Sequence, residues 1–133
     1  MSAELAWAAG FFDGEGSVFV NHISRVPHPD RPGNPGYPCV SVTMSVSQVE
    51  PQPLTRFAAA VSGRRPTGPY KTRHAKGRPY YRWDACGRPS VHRILLLLWP
   101  YLSDPKKAQA RRAWNELLRL KKIKSPALPA LPD

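Results

Sequence analysis

The chain has 133 residues and is 41% hydrophobic, which suits one ordinary domain with a single core. Its longest apolar run, 94–99, is too short for a membrane span, and no basic stretch precedes an apolar one at the N-terminus. Two cysteines are too few for a disulfide scaffold, and no CxxC spacing indicates a zinc site. We therefore expect a cytoplasmic protein with reduced thiols. Twenty Lys and Arg against nine Asp and Glu give a net charge of +11 and a pI near 10.3, which favours nucleic acid over an acidic membrane as the partner.

The first part of the chain predicts a helix and two strands. Residues 3–12 are alanine-rich and predict a helix that ends in the cluster Asp13-Gly14-Glu15-Gly16. Residues 17–24 are rich in Val, Phe and Ile and predict a strand, and the five prolines of 26–38 indicate a loop. Apolar and hydroxyl residues alternate over 40–47, which predicts a second strand with one buried side and one wet side.

The second part predicts a helix, two strands and two helices. A helix is expected over 54–61, strands over 67–73 and 80–85, and an apolar helix from Pro89 to the residue before Pro100. Asp104 is expected to cap a last helix whose first residue is Pro105 and which runs to about Lys122. The three prolines of 125–133 predict a flexible tail, so the domain is expected to cover 1–124.

This order predicts an α+β fold, a four-stranded antiparallel sheet with helices on one face. The opposite face should then be polar. The second strand contributes its hydroxyl row there, and we assign to the same face the side of the first strand that carries Asn21 and Arg25.

A basic stretch lies in the second half of the chain. Residues 64–93 hold nine Lys and Arg and a single acid, Asp84, interleaved with tyrosines and a tryptophan. A β-ribbon of this composition can lie in the major groove of DNA, while Tyr81 and Trp83 are better explained as core residues.

Lys106 and Lys107 occupy the first turn of the last helix, where the helix dipole disfavours positive charge, a conflict that hints at a functional demand.

Two acids form an exception in this basic chain. Asp13 and Glu15 stand between glycines at the end of the first helix, where the dipole also disfavours them. A carboxylate near DNA phosphates is tolerated when a cation such as Mg²⁺ lies between them. The alternative from these residues alone is an exposed turn built for its backbone geometry.

Residues 7–17, Trp-Ala-Ala-Gly-Phe-Phe-Asp-Gly-Glu-Gly-Ser, resemble the signature of the LAGLIDADG homing endonucleases, a helix that ends in an acid–small–acid–Gly turn. The predicted element order resembles the family's αββαββα order, and 100–109 resembles the stretch between its last helices. The resemblance covers roughly residues 3–120. It implies DNA binding on the polar strand face, here through Asn21, Arg25, Ser41, Thr43, Ser45, Lys71, Arg73 and Arg82.

The resemblance also implies roles at a cleavage centre. Glu15 takes the place of the family's metal ligand, with Gly14 beside it in the metal site, although the family has the shorter Asp. Gln48 matches a glutamine that lies near the metal in single-motif members. Lys106 matches a lysine that assists cleavage, and Lys107 stays an alternative because the alignment needs an extra residue.

One motif occurs, whereas the family pairs two motif helices, so the resemblance implies a homodimer. Ala6, Ala9 and Gly10 form a stripe of small side chains that would let two helices approach closely, with Asp13 serving the turn and the helix pair. That alanines merely favour a helix is the alternative. It leaves Gly10 unexplained, since glycine costs about 1 kcal/mol in a helix interior relative to alanine.

The function implied is a site-specific, Mg²⁺-dependent endonuclease that cleaves double-stranded DNA at a long pseudo-palindromic site. Mn²⁺ is expected to substitute for Mg²⁺, and Ca²⁺ to support binding without turnover; no small-molecule cofactor and no membrane are expected. One alternative is a catalytically silent DNA-binding regulator or RNA splicing helper of the same fold. Another is a structural RNA-binding protein, which would leave the acids unexplained and needs no dimer. The four histidines show no metal or triad spacing.

Overall fold

The computed structural model describes residues 2–24, 38–72, 77–121 and 131–132, without the side chains of residues 23, 24, 38 and 39. The predictions for Arg25, Arg73 and most of the tail fall outside these ranges. Within them the order is α1 Ala3–Glu15, β1 Gly16–Ser24, β2 Pro38–Gln48, α2 Pro51–Ala60, β3 Thr67–Tyr70, β4 Tyr80–Cys86, α3 Arg88–Leu98, a 3₁₀ turn Trp99–Tyr101 and α4 Asp104–Leu120.

The four strands form one antiparallel sheet in the order β1-β2-β4-β3. The register places Val18 opposite Met44, and Val46 opposite Trp83. Because side chains alternate along a strand, these four residues share one face, and all four are buried. The α+β prediction is confirmed: helices cover this face, and the hydroxyl row of β2 lies on the other.

The core lies between that apolar sheet face and the helices. Trp83 is fully buried and meets the Phe57 ring of α2 edge-to-face, with a centroid distance of 4.7 Å. The interpretation of Trp83 as a core residue is confirmed, and Tyr81 packs partly buried against the same cluster. From α4, Ala110, Trp114 and Leu117 enter the core on one apolar helix face.

Several element ends differ from the predicted ones, and three of them change the local structure around predicted site residues. Helix α1 continues to Glu15, so the acid–glycine cluster forms its last turn, which closes where the Gly16 N–H donates to the Phe12 carbonyl. Strand β3 ends at Tyr70, which leaves Lys71 just beyond it. The cap of α4 is Ser103, not Asp104: its Oγ accepts a hydrogen bond from the Lys106 N–H.

Two contacts tie the outer parts of the chain to this core. Arg56 of α2 stacks over the Trp7 ring at 3.9 Å and bonds both carboxylate oxygens of Glu4, so α1 and α2 are clasped at the surface. The hydrogen bond from Arg56 holds the pKa of the Glu4 carboxyl below its ordinary value, so this contribution is present at neutral pH and is lost as the pH falls through the lowered pKa. In the tail, Leu131 packs against the core, and the Pro132 carbonyl accepts a hydrogen bond from Arg111 at 3.0 Å.

One hydroxyl of the polar face does not reach solvent. Thr43 is 4% exposed, although it lies on the side of β2 that was expected to be wet. It sits in a central strand between Phe19 of β1 and Cys86 of β4, and its Oγ1 lies 3.7 Å from the Cys86 Sγ. The burial of Thr43 between Phe19 and Cys86 counts against the predicted contact with DNA.

Gly16 occupies a position that has no space for a side chain. A Cβ there would lie 2.2 Å from Cδ2 of the buried Phe12 ring, whereas a Cβ on Gly14 would meet nothing within 4 Å. We expect Gly16→Ala to lower the free energy of unfolding by about 1–3 kcal/mol through overpacking. Gly14→Ala, the matched control in the same helical turn, should raise it by up to about 1 kcal/mol. Urea unfolding of both variants tests this, and equal effects of the two would contradict it.

Candidate active site and nucleic-acid interface

Glu15 and Gln48 meet at one end of the sheet. Glu15 is the last residue of α1 and Gln48 the last of β2. Because β1 starts directly after Glu15 and pairs antiparallel with β2, the end of β2 returns to the start of β1, where Gly16 lies opposite Val46. The Gln48 side-chain amide donates to the exposed Glu15 carboxylate at 3.1 Å. Two residues predicted for the cleavage centre are thus in contact.

Lys106 reaches the same point from the other side. Its Nζ donates to the Gly16 carbonyl at 2.6 Å and lies 5.6 Å from the centroid of the Phe12 ring. Lys107 points elsewhere, with its Nζ 5.7 Å from the centroid of the Trp99 ring. Of the two candidate lysines, Lys106 is therefore the one whose ammonium lies at the junction of α1 and β1.

Asp13 bonds within the chain, to the start of α4. Its carboxylate accepts hydrogen bonds from the Ser103 N–H at 3.1 Å and from the Ser103 hydroxyl at 2.9 Å. The carboxylate thus lies at the N-terminus of α4, where the helix dipole favours negative charge, which offsets its unfavourable place at the C-terminus of α1. Asp13 links the two helices that carry Glu15 and Lys106.

Gln109 is a residue at this site that the sequence did not single out. Its Oε1 accepts from the Val18 N–H at 3.1 Å and lies 3.4 Å from the Lys106 Nζ. It satisfies a backbone donor on the outer edge of β1 and helps to hold the lysine. Its position three residues after Lys106, on the same helix face, could have predicted the contact with the lysine. Its hydrogen bond with the Val18 N–H depends on how α4 packs against β1.

The donor chemistry of this site suits a hard cation. Glu15 offers a carboxylate and Gln48 an amide oxygen, and oxygen ligands are those that Mg²⁺ takes. In the part of the chain that the structure describes, no three His, Cys, Asp or Glu residues come together as a complete metal site. A single carboxylate is still compatible with Mg²⁺, which commonly uses one or two carboxylates and completes its shell with water and substrate phosphates.

The polar face of the sheet extends away from this corner. Asn21 lies opposite Ser41, and Ser45 lies opposite Asp84. Phe19, 39% exposed, lies between them on the same face. Arg82 projects from β4 on this side and is exposed, and Lys71 is exposed just past β3. The structure thus brings five of the predicted DNA-contacting residues onto one face, namely Asn21, Ser41, Thr43, Ser45 and Arg82, of which Thr43 is buried.

The outer side of α1 carries small residues. Ala6 and Gly10 are exposed, and a Cβ on Gly10 would meet nothing within 4 Å. Ala9 is different: it is fully buried against the core of its own chain. In the single chain the helix turns Ala9 inward, which counts against the predicted dimer contact. The exposed stripe consists of Ala3, Ala6, Gly10 and Gly14.

No family model and no curated protein match the sequence, but solved structures do match the fold. The homing endonuclease I-CvuI, in complex with its DNA target and Ca²⁺, matches with a TM-score of 0.64 at 23% identity over 93% of this chain and 71% of that one. The same enzyme with a second target and Mg²⁺ gives 0.61 at 24% over the same shares. The intron-encoded homing endonuclease I-CeuI, complexed with DNA, gives 0.62 at 16% identity over 92% of this chain and 56% of that one.

The chain has the LAGLIDADG homing-endonuclease fold. The likeness is one of architecture and includes the helix α1 that carries the motif. Among the described residues, no helix combines the length and the apolar character needed to cross a membrane.

The Asp13–Ser103 contact predicts a structural role for this acid. Asp13→Ala removes every acceptor for the Ser103 N–H and hydroxyl, and we expect it to lower the free energy of unfolding by about 1–2 kcal/mol. Asp104→Ala is the matched control, since Asp104 lies in the first turn of α4 but makes no side-chain bond among the described residues; about 0.5 kcal/mol is expected from the dipole alone. Urea unfolding compares them, and an equal loss for both would contradict a stabilising role of the Asp13–Ser103 contact.

Proposed function

We propose that this protein is a site-specific, divalent-metal-dependent endonuclease of the LAGLIDADG homing type that cleaves double-stranded DNA as a homodimer. The observation that carries the proposal is the position of Glu15, an exposed carboxylate at the junction of α1 and β1 in a chain of net charge +11. It contacts Gln48, and the neighbouring Gly16 carbonyl accepts a hydrogen bond from the Lys106 Nζ. The fold likeness to homing endonucleases in complex with DNA supports it.

The residues at the junction of α1 and β1 would have different roles in cleavage. Glu15, with the adjacent Gly14, would hold Mg²⁺, and Gln48 would orient the carboxylate through its amide. The ion would supply charge neutralisation at the scissile phosphate and would acidify the attacking water. Lys106, fixed on the Gly16 carbonyl, would direct its positive charge at the phosphate as negative charge builds there. Mn²⁺ is proposed as a substitute, and Ca²⁺ as an ion that supports binding without turnover.

The homodimer rests on the exposed stripe of α1. A chain with one motif supplies one Glu15, while cutting both DNA strands requires two. Ala6 and Gly10 leave the outer surface of α1 without bulky side chains, so a second α1 can approach closely. Two copies would extend the polar sheet face across a long pseudo-palindromic site.

Cleavage should depend on the Glu15 charge. We expect Glu15→Gln to lower the cleavage rate by several orders of magnitude, because a metal ligand is lost. DNA binding should persist or tighten, because a negative charge facing phosphate is removed. The measurement is cleavage in Mg²⁺ and binding in Ca²⁺, side by side, on a site selected from random double-stranded DNA.

Glu116→Gln on the exposed side of α4 is the charge-matched control and should cleave normally. Full cleavage by Glu15→Gln would remove the metal-ligand assignment. Binding without cleavage by the wild type would favour a silent regulator or splicing helper of the same fold.

The dimer should depend on close approach at Gly10. Gly10→Leu adds a bulky side chain to the exposed stripe and should shift the protein to monomers. The cleavage rate should fall in proportion to the fraction of dimer that is lost. Gly10→Ala, which adds one methyl group, should weaken association less. Sedimentation velocity with and without DNA measures this; a wild-type protein that stays monomeric on its site would contradict the dimer.

A further inference from the structure

Asp84 is an acid on a face proposed to meet phosphates. It lies on the polar side of β4, opposite Ser45 and two residues after Arg82. Along a strand, residues two apart share a face. The carboxylate is partly shielded, with 29% of its side chain exposed. A negative charge here would weaken DNA binding unless it served something else on the face.

What Asp84 contacts is the guanidinium of Arg82. The Arg82 Nε donates to Asp84 Oδ2 at 2.9 Å. An exposed ion pair of this kind contributes little to stability, because solvent screens it and two side chains must be ordered. A gain in the free energy of unfolding is therefore a weak explanation for the Arg82–Asp84 pair. Its geometric effect is definite: it fixes the direction in which the guanidinium points.

A tyrosine holds the same guanidinium from another side. The Arg82 Cζ lies 5.3 Å from the centroid of the Tyr70 ring, within the range of a cation–π contact. The Tyr70 hydroxyl donates to Thr67 Oγ1 at 2.6 Å, and Thr67 lies opposite Arg82 in the β3–β4 pairing. The ring that supports Arg82 is thus itself anchored to the strand beside it.

The contacts of Arg82 with Asp84 and Tyr70, called the clamp below, hold the guanidinium by its Nε and by the Tyr70 ring. Its one bond to Asp84 engages Nε, and among the described residues no hydrogen bond engages Nη1 or Nη2. Two parallel N–H groups in a fixed plane match the O6 and N7 acceptors that guanine presents in the major groove. Adenine has a donor in place of O6 and would face one of these N–H groups with like polarity.

We propose that Arg82, oriented by Asp84 and Tyr70, reads a guanine in the major groove, and that Asp84 acts as a specificity-positioning residue. The assignment rests on the proposed function, because it needs double-stranded DNA on this face. It gives the acid a purpose: Asp84 weakens binding to all sequences slightly and sharpens the choice of one base in each half-site.

The test uses the full-length protein in Ca²⁺. Sites are selected from random double-stranded DNA with the wild type, Arg82→Ala and Asp84→Asn, and affinities are measured for the selected site with guanine and with adenine at each enriched position. The wild type should prefer guanine by about 5- to 150-fold at one position in each half-site. Arg82→Ala should abolish this preference and leave the other positions unchanged.

Asp84→Asn separates positioning from general charge. It should reduce the guanine preference several-fold while binding to random DNA stays equal or tightens, since one negative charge is lost. Glu116→Gln, the same charge change away from the sheet, should leave the preference unchanged. Circular dichroism of Asp84→Asn checks that the variant is folded; if it is not, Tyr70→Leu removes the other half of the clamp and should relax the same position.

The outcomes distinguish this assignment from the proposed function. If a site is selected and Arg82→Ala keeps the guanine preference, or Asp84→Asn tightens guanine and adenine sites equally, the clamp is overturned while the endonuclease proposal stands. If the wild type selects no sequence and does not bind double-stranded DNA, both are overturned.

Discussion

The junction between α1 and β1 is the constraint on which the rest of the site depends. The helix ends at Glu15 and the strand begins at Gly16, with no residue between them. Gly16 serves three purposes at once: its N–H closes α1 on Phe12, its missing side chain leaves room for the Phe12 ring, and its carbonyl holds Lys106. A loop at this point would let the Glu15 carboxylate move relative to the sheet. The direct transition fixes it to the rigid edge of β1.

Unfavourable charges at helix ends are compensated across elements. Asp13 is disfavoured by its own helix and favoured by α4, whose cap residue Ser103 it bonds. Lys106 is disfavoured in the first turn of α4, and it is held by a carbonyl of β1 and by Gln109. Asp13 and Lys106 are thus each disfavoured within their own helix and bonded by a neighbouring element, and these bonds join α1, β1 and α4 at the same corner. The proposed chemistry uses the charges that remain exposed there.

The sheet face away from the helices presents polar side chains from a rigid backbone. Its basic and hydroxyl residues project from strands whose other side is locked into a core of Phe57, Trp83 and Val46. Rigid strands position side chains more accurately than loops, which suits the reading of base edges. The Arg82–Asp84–Tyr70 clamp extends this order from the backbone to the end of one side chain, and it places a negative charge on the face that is proposed to bind DNA.

The sequence by itself determined the element order, the α+β class and the apolar side of β1, β2 and β4, because alternation, helical spacing and the Gly and Pro positions are local signals. The motif at 7–17 resembles the signature of this fold, and the charge of +11 favours nucleic acid as the partner. Other features required the tertiary structure. Thr43 is covered by neighbours from two other strands, and Ala9 turns toward its own core. The choice of Lys106 over Lys107 and the roles of Gln109 and Asp13 depend on contacts about 90 residues apart in the chain. No local pattern records such contacts, because they exist only after packing has set the distance between α4 and the start of β1.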